Sequence, residues 1–120
     1  MFETEKLPDF WVMLRVKFGR KDGGGFHQLR VLCGWVGGYT EGEAWKINSG
    51  VVGVDFDGEI YRFKGRSGSI YACHKNRYSM AGFMHDGLKE MRNAQHVVAV
   101  EILEDRDWAQ TQYAKMISPC

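Results

Sequence analysis

Phe10-Trp-Val-Met-Leu-Arg-Val-Lys-Phe18 sets Val12, Leu14, Val16 and Phe18 against Trp11, Met13, Arg15 and Lys17. A period of two marks a β-strand, because successive side chains of an extended chain point to opposite faces. The first set is wholly apolar, so this strand lies on a core. Gly19 to Gly25 is a polar, glycine-rich reversal. Beyond it, alternation resumes from Phe26 to Val36, with Leu29, Val31, Cys33 and Trp35 on one side and Gln28 and Arg30 on the other. The two runs predict a long hairpin. Gly34-Trp-Val-Gly-Gly38 and Glu41-Gly-Glu43 then interrupt the pattern as a loop or bulged turn, and a strand resumes near Trp45.

Downstream, Asp57-Gly58 separates two more alternating runs and favours a two-residue hairpin turn. That register sets Phe56 opposite Glu59, Val54 opposite Tyr61 and Val52 opposite Phe63, and gathers Val52, Val54, Phe56, Tyr61 and Phe63 into the core. Gly65-Arg-Ser-Gly68 reverses the chain into a further strand over Ser69 to His74. The period then changes: Met80, Met84, Leu88 and Met91 recur at helical spacing, which predicts a helix from about Ser79 to Arg92. Gly82 and Gly87 each cost it roughly 1 kcal/mol relative to alanine, so packing must hold it, with Gly82 marking close approach to the sheet. Gln95 to Leu103 alternates again, and four apolar residues in a row point to a central strand. Asp107 is placed to cap a short final helix containing Trp108, Tyr113 and Met116. The expected fold is α+β and a single domain over residues 1–120. It is a mainly antiparallel sheet of about five to six strands, with one longer helix and a short C-terminal helix packed on one face.

A chain of 120 residues, 44% hydrophobic and 26% charged, suits one folded core. Sixteen Lys plus Arg against 15 Asp plus Glu give a formal charge of +1, which argues against an acidic DNA mimic and against a generally basic coat protein. The start carries Glu3 and Glu5 where a signal peptide would be basic, and the longest apolar run, Phe10 to Leu14, is far below the roughly 20 residues of a membrane helix. No membrane partner is expected. Three cysteines without paired spacing fit a reducing cytoplasm, with Cys33 and Cys73 as core thiols.

Catalytic and metal motifs are weak. Gly65-Arg-Ser-Gly-Ser69 lacks the second glycine of a nucleophile elbow and precedes a strand instead of a helix, so it reads as a turn whose N–H groups could cradle an anion. Cys73 and His74 are adjacent on a strand and point to opposite faces, while His27 and Cys33 are about 20 Å apart along theirs. His85 and His96 have no ligand at regular spacing. Asp86 and Glu90 read as a solvated helix face. Neither an enzyme nor a cofactor is expected.

The charge distribution stands out more. Residues 60 to 85 carry Arg62, Lys64, Arg66, Lys75 and Arg77 with no acidic residue. By strand parity, Arg62 and Lys64, together with Arg15, Lys17 and Arg30, could share one solvent face of the sheet. Their ordinary alternative is pairing with Asp55, Glu101, Glu104 or Asp105. Lys75 and Arg77 precede the predicted helix, where its dipole disfavours cations unless an anion compensates. Trp35, Tyr39 and Trp45 flank the glycine-rich loop as aromatic anchors for a partner, or as plugs of the open end of the sheet.

The stretches Trp45-Lys-Ile-Asn-Ser-Gly50, Tyr61-Arg-Phe-Lys-Gly-Arg-Ser-Gly-Ser-Ile-Tyr71 and His74-Lys-Asn-Arg-Tyr-Ser-Met80 resemble a pattern in small uncharacterised proteins of bacteriophages and mobile elements. The resemblance spans residues 45 to 84 and transfers no catalytic or binding residue. It implies a setting in which small proteins block a host machine, such as a CRISPR effector complex or a restriction enzyme. The expectation is therefore a non-enzymatic inhibitor acting in the bacterial cytoplasm on a host protein or ribonucleoprotein complex. Its surface would comprise Arg62, Lys64, Arg66, Ser67, Lys75, Arg77, Trp35, Tyr39 and Trp45. The alternative is direct binding of RNA or single-stranded DNA on a basic sheet face, with Trp11, Phe26 or Tyr71 stacking on bases. An edge strand beside the glycine-rich loop also offers a route to a homodimer.

Overall fold

The computed structural model describes residues 5–19, 24–36 and 44–109. Eight strands and one α-helix follow in the order β1 (Glu5–Lys6), β2 (Phe10–Gly19), β3 (Gly25–Trp35), β4 (Ala44–Ile47), β5 (Val51–Phe56), β6 (Ile60–Gly65), β7 (Ile70–His74), α1 (His85–Arg92) and β8 (Val97–Ile102). The α+β class is as expected, but the strands form two sheets rather than one. One sheet runs β1-β7-β6-β5 and the other β4-β3-β2-β8. The long hairpin pairs β2 with β3 from Phe10↔Gly34 to Gly19↔Gly25.

The second sheet is the middle layer. Trp11, Met13, Leu29, Val31 and Cys33 on one of its faces pack against Val51, Tyr61, Phe63, Tyr71 and Cys73 of the first sheet. On its other face Val12, Leu14, Val16, Leu32 and Val100 receive Met84, Leu88 and Met91 from the helical segment. This double burial explains why Trp11 to Leu14 are all 2% exposed or less, where simple alternation would have left Trp11 and Met13 on a wetter face. Trp11 lies at the centre. Its Nε1 donates to the His74 carbonyl at 2.8 Å, and Tyr78 meets its ring edge-on at 4.7 Å.

Several local expectations shift. The β5–β6 turn is centred on Gly58 and Glu59, because Phe56 faces Tyr61 and Val54 faces Phe63. Asp57 instead serves as an acceptor, its Oδ1 taking the N–H groups of Glu59 and Ile60 at 2.9 Å each, while Gly58 adopts φ 102°. A register shift between Val51 and Gly53 then turns Val51 into the core and leaves Val52 40% exposed. The helix is shorter than predicted, with Gly82–Met84 forming a 3₁₀ turn before α1. Gly87, not Gly82, is the close approach: a Cβ there would come within 2.7 Å of Trp45, whereas one at Gly82 meets nothing within 4 Å. Among the described residues β8 is an edge strand, not a central one. Asp107 Oδ1 accepts from Ala109 N at 3.0 Å as a cap would, and the helix expected beyond it lies outside the described residues.

Candidate functional site

The chain crosses from the second sheet to the first over Asn48-Ser49-Gly50, and this crossing assembles the most distinctive surface. Asn48 is 2% exposed and continues the edge of β3 with its side chain: Oδ1 accepts from Val31 N at 2.9 Å and Gly50 N at 3.3 Å. Gly50 takes φ 121°, which an L side chain rarely adopts, and a Cβ there would lie 2.5 Å from Gln28 Nε2 and 3.1 Å from Arg66 Cδ. The Gln28 amide and the Arg66 stem therefore close over bare backbone. Arg30 completes the group, donating from Nε to Gln28 Oε1 at 2.7 Å. Its guanidinium lies 5.5 Å from the Phe18 ring centre, and Phe18 stacks on Phe26 at 5.0 Å. Burial, then the like charge of Arg66, lowers the pKa of Arg30. No ion pair among the described residues engages Arg30 or Arg66. Two guanidiniums brought together without a carboxylate favour an oxyanion such as a phosphate or a carboxylate group.

The five-cation sheet face does not form. Arg62 lies on the first sheet and is neutralised by Glu5 at 3.0 Å and Asp57 at 2.9 Å. Arg15 lies on the second sheet and pairs with Glu101. Arg30 emerges on the opposite face of that sheet, since it pairs with Leu14 whereas Arg15 pairs with Leu29. Lys64 is exposed on β6 next to the Arg66 turn. Lys75 and Arg77 are exposed in a 3₁₀ turn of their own that ends eight residues before α1 begins at His85, and so do not abut its N-terminus.

The Gly65–Ser69 turn has little N–H capacity left for an anion. Gly65 N donates to Ser69 O, Arg66 N to Gly50 O, Ser67 N to Ser49 Oγ and Gly68 N to Gly65 O. Ser67 thus joins the site through its position beside Arg66 and not through a backbone cradle. The aromatic anchors are largely spent as well. Trp45 packs over Gly87, and Trp35 donates from Nε1 to Leu7 O at 3.0 Å, while Tyr39 lies outside the described residues. Trp11 and Tyr71, suggested for base stacking, are 0% and 4% exposed and cannot reach a ligand; Phe26 is 43% exposed.

Cys33 and Cys73 are free, buried thiols, and burial followed by the adjacent Cys73 side chain pushes the Cys33 thiol well up, away from the thiolate a nucleophile needs. An open groove of about 300 Å³ runs between β4 and α1, lined by Trp45, Lys46, Ile47, Glu90, Met91 and Ala94. Among the described residues no three His, Cys, Asp or Glu side chains gather as metal ligands, and no helix is long and apolar enough to cross a membrane. No protein-family model, curated protein or solved structure matches this chain.

The sequence reading grouped Arg66 with Arg62, Lys64, Lys75 and Arg77, whereas the structure sets it beside Gln28 and within the electrostatic reach of Arg30. Gln28 was visible only as the polar side of a strand, and Arg30 as one of five cations on a shared sheet face. The single local hint of the crossing was Asn48-Ser-Gly50, a turn-like tripeptide between two strands.

Proposed function

We propose that the protein is a non-enzymatic binding protein of the phage or mobile-element kind, which inhibits a bacterial defence or host complex, a CRISPR effector or similar machine, by surface contact. The observation that carries this reading is that Arg66 lies with Gln28 over Gly50 while Arg30 bonds to that same Gln28 and feels the charge of Arg66, with no ion pair to either arginine among the described residues. Lys64 and Ser67 extend the surface, and acidic side chains or a nucleic-acid backbone on the host complex are its chemical complement. Such a protein acts in the bacterial cytoplasm. The test is an affinity pull-down from the bacterial host, with and without nuclease, comparing the native chain with the double variant Arg30→Glu/Arg66→Glu. One stoichiometric protein partner that survives nuclease and is lost in the variant supports the reading. Equal recovery by both chains removes this surface from consideration.

A second reading is direct binding of RNA or single-stranded DNA, favoured by the Phe18–Phe26 stack beside Arg30. It requires the purified protein to bind a labelled single strand with affinity that falls as salt rises. Two phosphate contacts, from Arg30 and Arg66, account for a logarithmic slope of about 1.4, which the double variant would abolish.

A further inference from the structure

We propose that the groove between β4 and α1 and the Arg30–Arg66 surface are one binding site, which takes a peptide segment of the partner protein carrying an apolar side chain next to carboxylates. This rests on the reading above, that the partner meets Arg30 and Arg66, and adds what kind of chain it presents there.

The helix sets the shape. α1 begins over β4, where a Cβ on Gly87 would come within 2.7 Å of Trp45, and ends over β8, where Arg92 Nη2 donates to the Val100 carbonyl at 3.3 Å. Among the described residues β4 and β8 are the outer strands of their sheet, so the helix crosses that sheet obliquely. A wedge opens between α1 and β4, closed where Trp45 meets Gly87 and widening towards Ala94. It is the groove of about 300 Å³, with Trp45, Ile47, Met91 and Ala94 as its apolar lining. That is room for one or two apolar side chains, at the low end of ligand pockets.

Arg30 stands at the open end. Ile47 pairs with Leu32, Asn48 N carries the ladder on to Val31 O at 3.1 Å, and Arg30 follows Leu32 on the face that α1 covers. Its guanidinium lies 5.5 Å from the Phe18 ring centre. Phe18 pairs with Val97, and Val97 N donates to Ala94 O at 3.2 Å, so the chain leaving the helical wall returns to the sheet beside that ring. Arg30 therefore lies between the groove and Phe18, and Gln28 links it to Arg66 over Gly50.

Charge along this path selects the occupant. The rim of the groove carries Lys46 and Glu90, one charge of each sign. At the open end stand two guanidiniums, and no ion pair among the described residues engages either. The matching ligand is apolar and uncharged in the groove and anionic at its mouth. A nucleic-acid strand carries a charge at every phosphate and sets one of them against Glu90. A peptide separates the two properties: one aliphatic side chain fills the groove, while neighbouring Asp or Glu residues meet guanidiniums whose fork matches a carboxylate.

The test is selection of a random peptide library, displayed on phage, against the purified full chain. Peptides with an aliphatic residue flanked by Asp or Glu should be enriched. A synthetic copy of the leading peptide should shift the amide NMR signals of Ile47, Met91 and Ala94 together with that of Arg30. Its affinity should fall by more than about tenfold in Ala94→Arg, which fills the groove from an exposed position, and in Arg66→Glu, with native circular dichroism spectra in both. Glu90→Lys, also exposed, should raise the affinity, and a fall there overturns the acidic assignment. Failure to enrich such a motif overturns the proposal, as does a leading peptide that binds Ala94→Arg as tightly as the native chain. A labelled single-stranded oligonucleotide whose binding is lost in Ala94→Arg also overturns it, since the groove then holds nucleic acid. The host pull-down separates the two readings. A partner lost with Arg30→Glu/Arg66→Glu but retained by Ala94→Arg leaves the proposed function standing and overturns the groove, whereas a partner retained by both removes the arginine surface as well.

Discussion

Truncating Asn48 to alanine should be among the most damaging single polar substitutions in this protein. The side chain is 2% exposed, and its Oδ1 is the hydrogen-bond acceptor for Val31 N at 2.9 Å and Gly50 N at 3.3 Å. Val31 is 0% exposed, so no water can take over its N–H. Leaving one buried donor unsatisfied costs about 1–3 kcal/mol, and the longer Gly50 bond adds a smaller amount, for a total of about 2–4 kcal/mol. With a urea dependence of about 2 kcal/mol per molar for a chain of this size, the unfolding midpoint should fall by about 1–2 M. Ser49→Ala is the neighbouring control. It removes the acceptor of Ser67 N at 2.9 Å, but Ser67 is exposed and water replaces the bond, so the loss should stay below about 1 kcal/mol. Urea titrations followed by tryptophan fluorescence, with Trp11 and Trp108 both in the core, measure the two variants side by side. An Asn48→Ala midpoint no lower than that of Ser49→Ala would refute the claim that this side chain stitches the crossing to β3.

Two glycines ahead of and within α1 should respond with opposite signs. Gly82→Ala meets nothing within 4 Å and should gain about 0.4–1 kcal/mol by restricting the unfolded chain. Gly87→Ala forces a methyl to 2.7 Å from Trp45 and 2.9 Å from Leu32, and an overpacking cost of about 1–3 kcal/mol should outweigh its helix-propensity gain; equal thermal midpoints for the two would contradict this packing. Acid should reveal Asp57. The N–H groups of Ile60 and Glu59, then Arg62, hold its carboxyl down to about 2. A depressed pKa contributes stability that is complete above the unfolded value of about 3.9 and is lost as pH falls through the folded one. The stability difference between the native chain and Asp57→Asn should therefore shrink from about pH 4 to pH 2 in urea titrations, and a constant difference would count against the assignment.

What was legible in the sequence was local. The period of two in Phe10–Phe18 and Phe26–Val36 located the first hairpin, and Val54, Phe56, Tyr61 and Phe63 shared a face as expected because the turn correction moved the register by two, which preserves parity. The bulge at Val51–Gly53 was not read from the sequence; its one local mark is Gly53 inside the strand Val-Val-Gly-Val-Asp-Phe, which alternation alone passes over. Periodicity also could not say how many layers the strands would make. Val97 to Val100 read as a central strand from four apolar residues, yet β8 is an edge with Val98 exposed.

Composition and alternation by themselves determined the α+β class, most of the longer strands and the existence of a buried core, because each depends on side chains that are near neighbours along the chain; the five to six strands of one expected sheet became eight in two. Only the tertiary structure decided which charges act together. Arg62, read as part of a basic quarter, found Glu5 and Asp57, whereas Arg30 and Arg66, 36 positions apart by their numbers, were brought to the same Gln28 and within electrostatic reach where Asn48 and Gly50 carry the chain from one sheet to the other. Electrostatic partnership depends on distance through space, and that distance is set by a two-sheet packing to which no short stretch of this sequence refers.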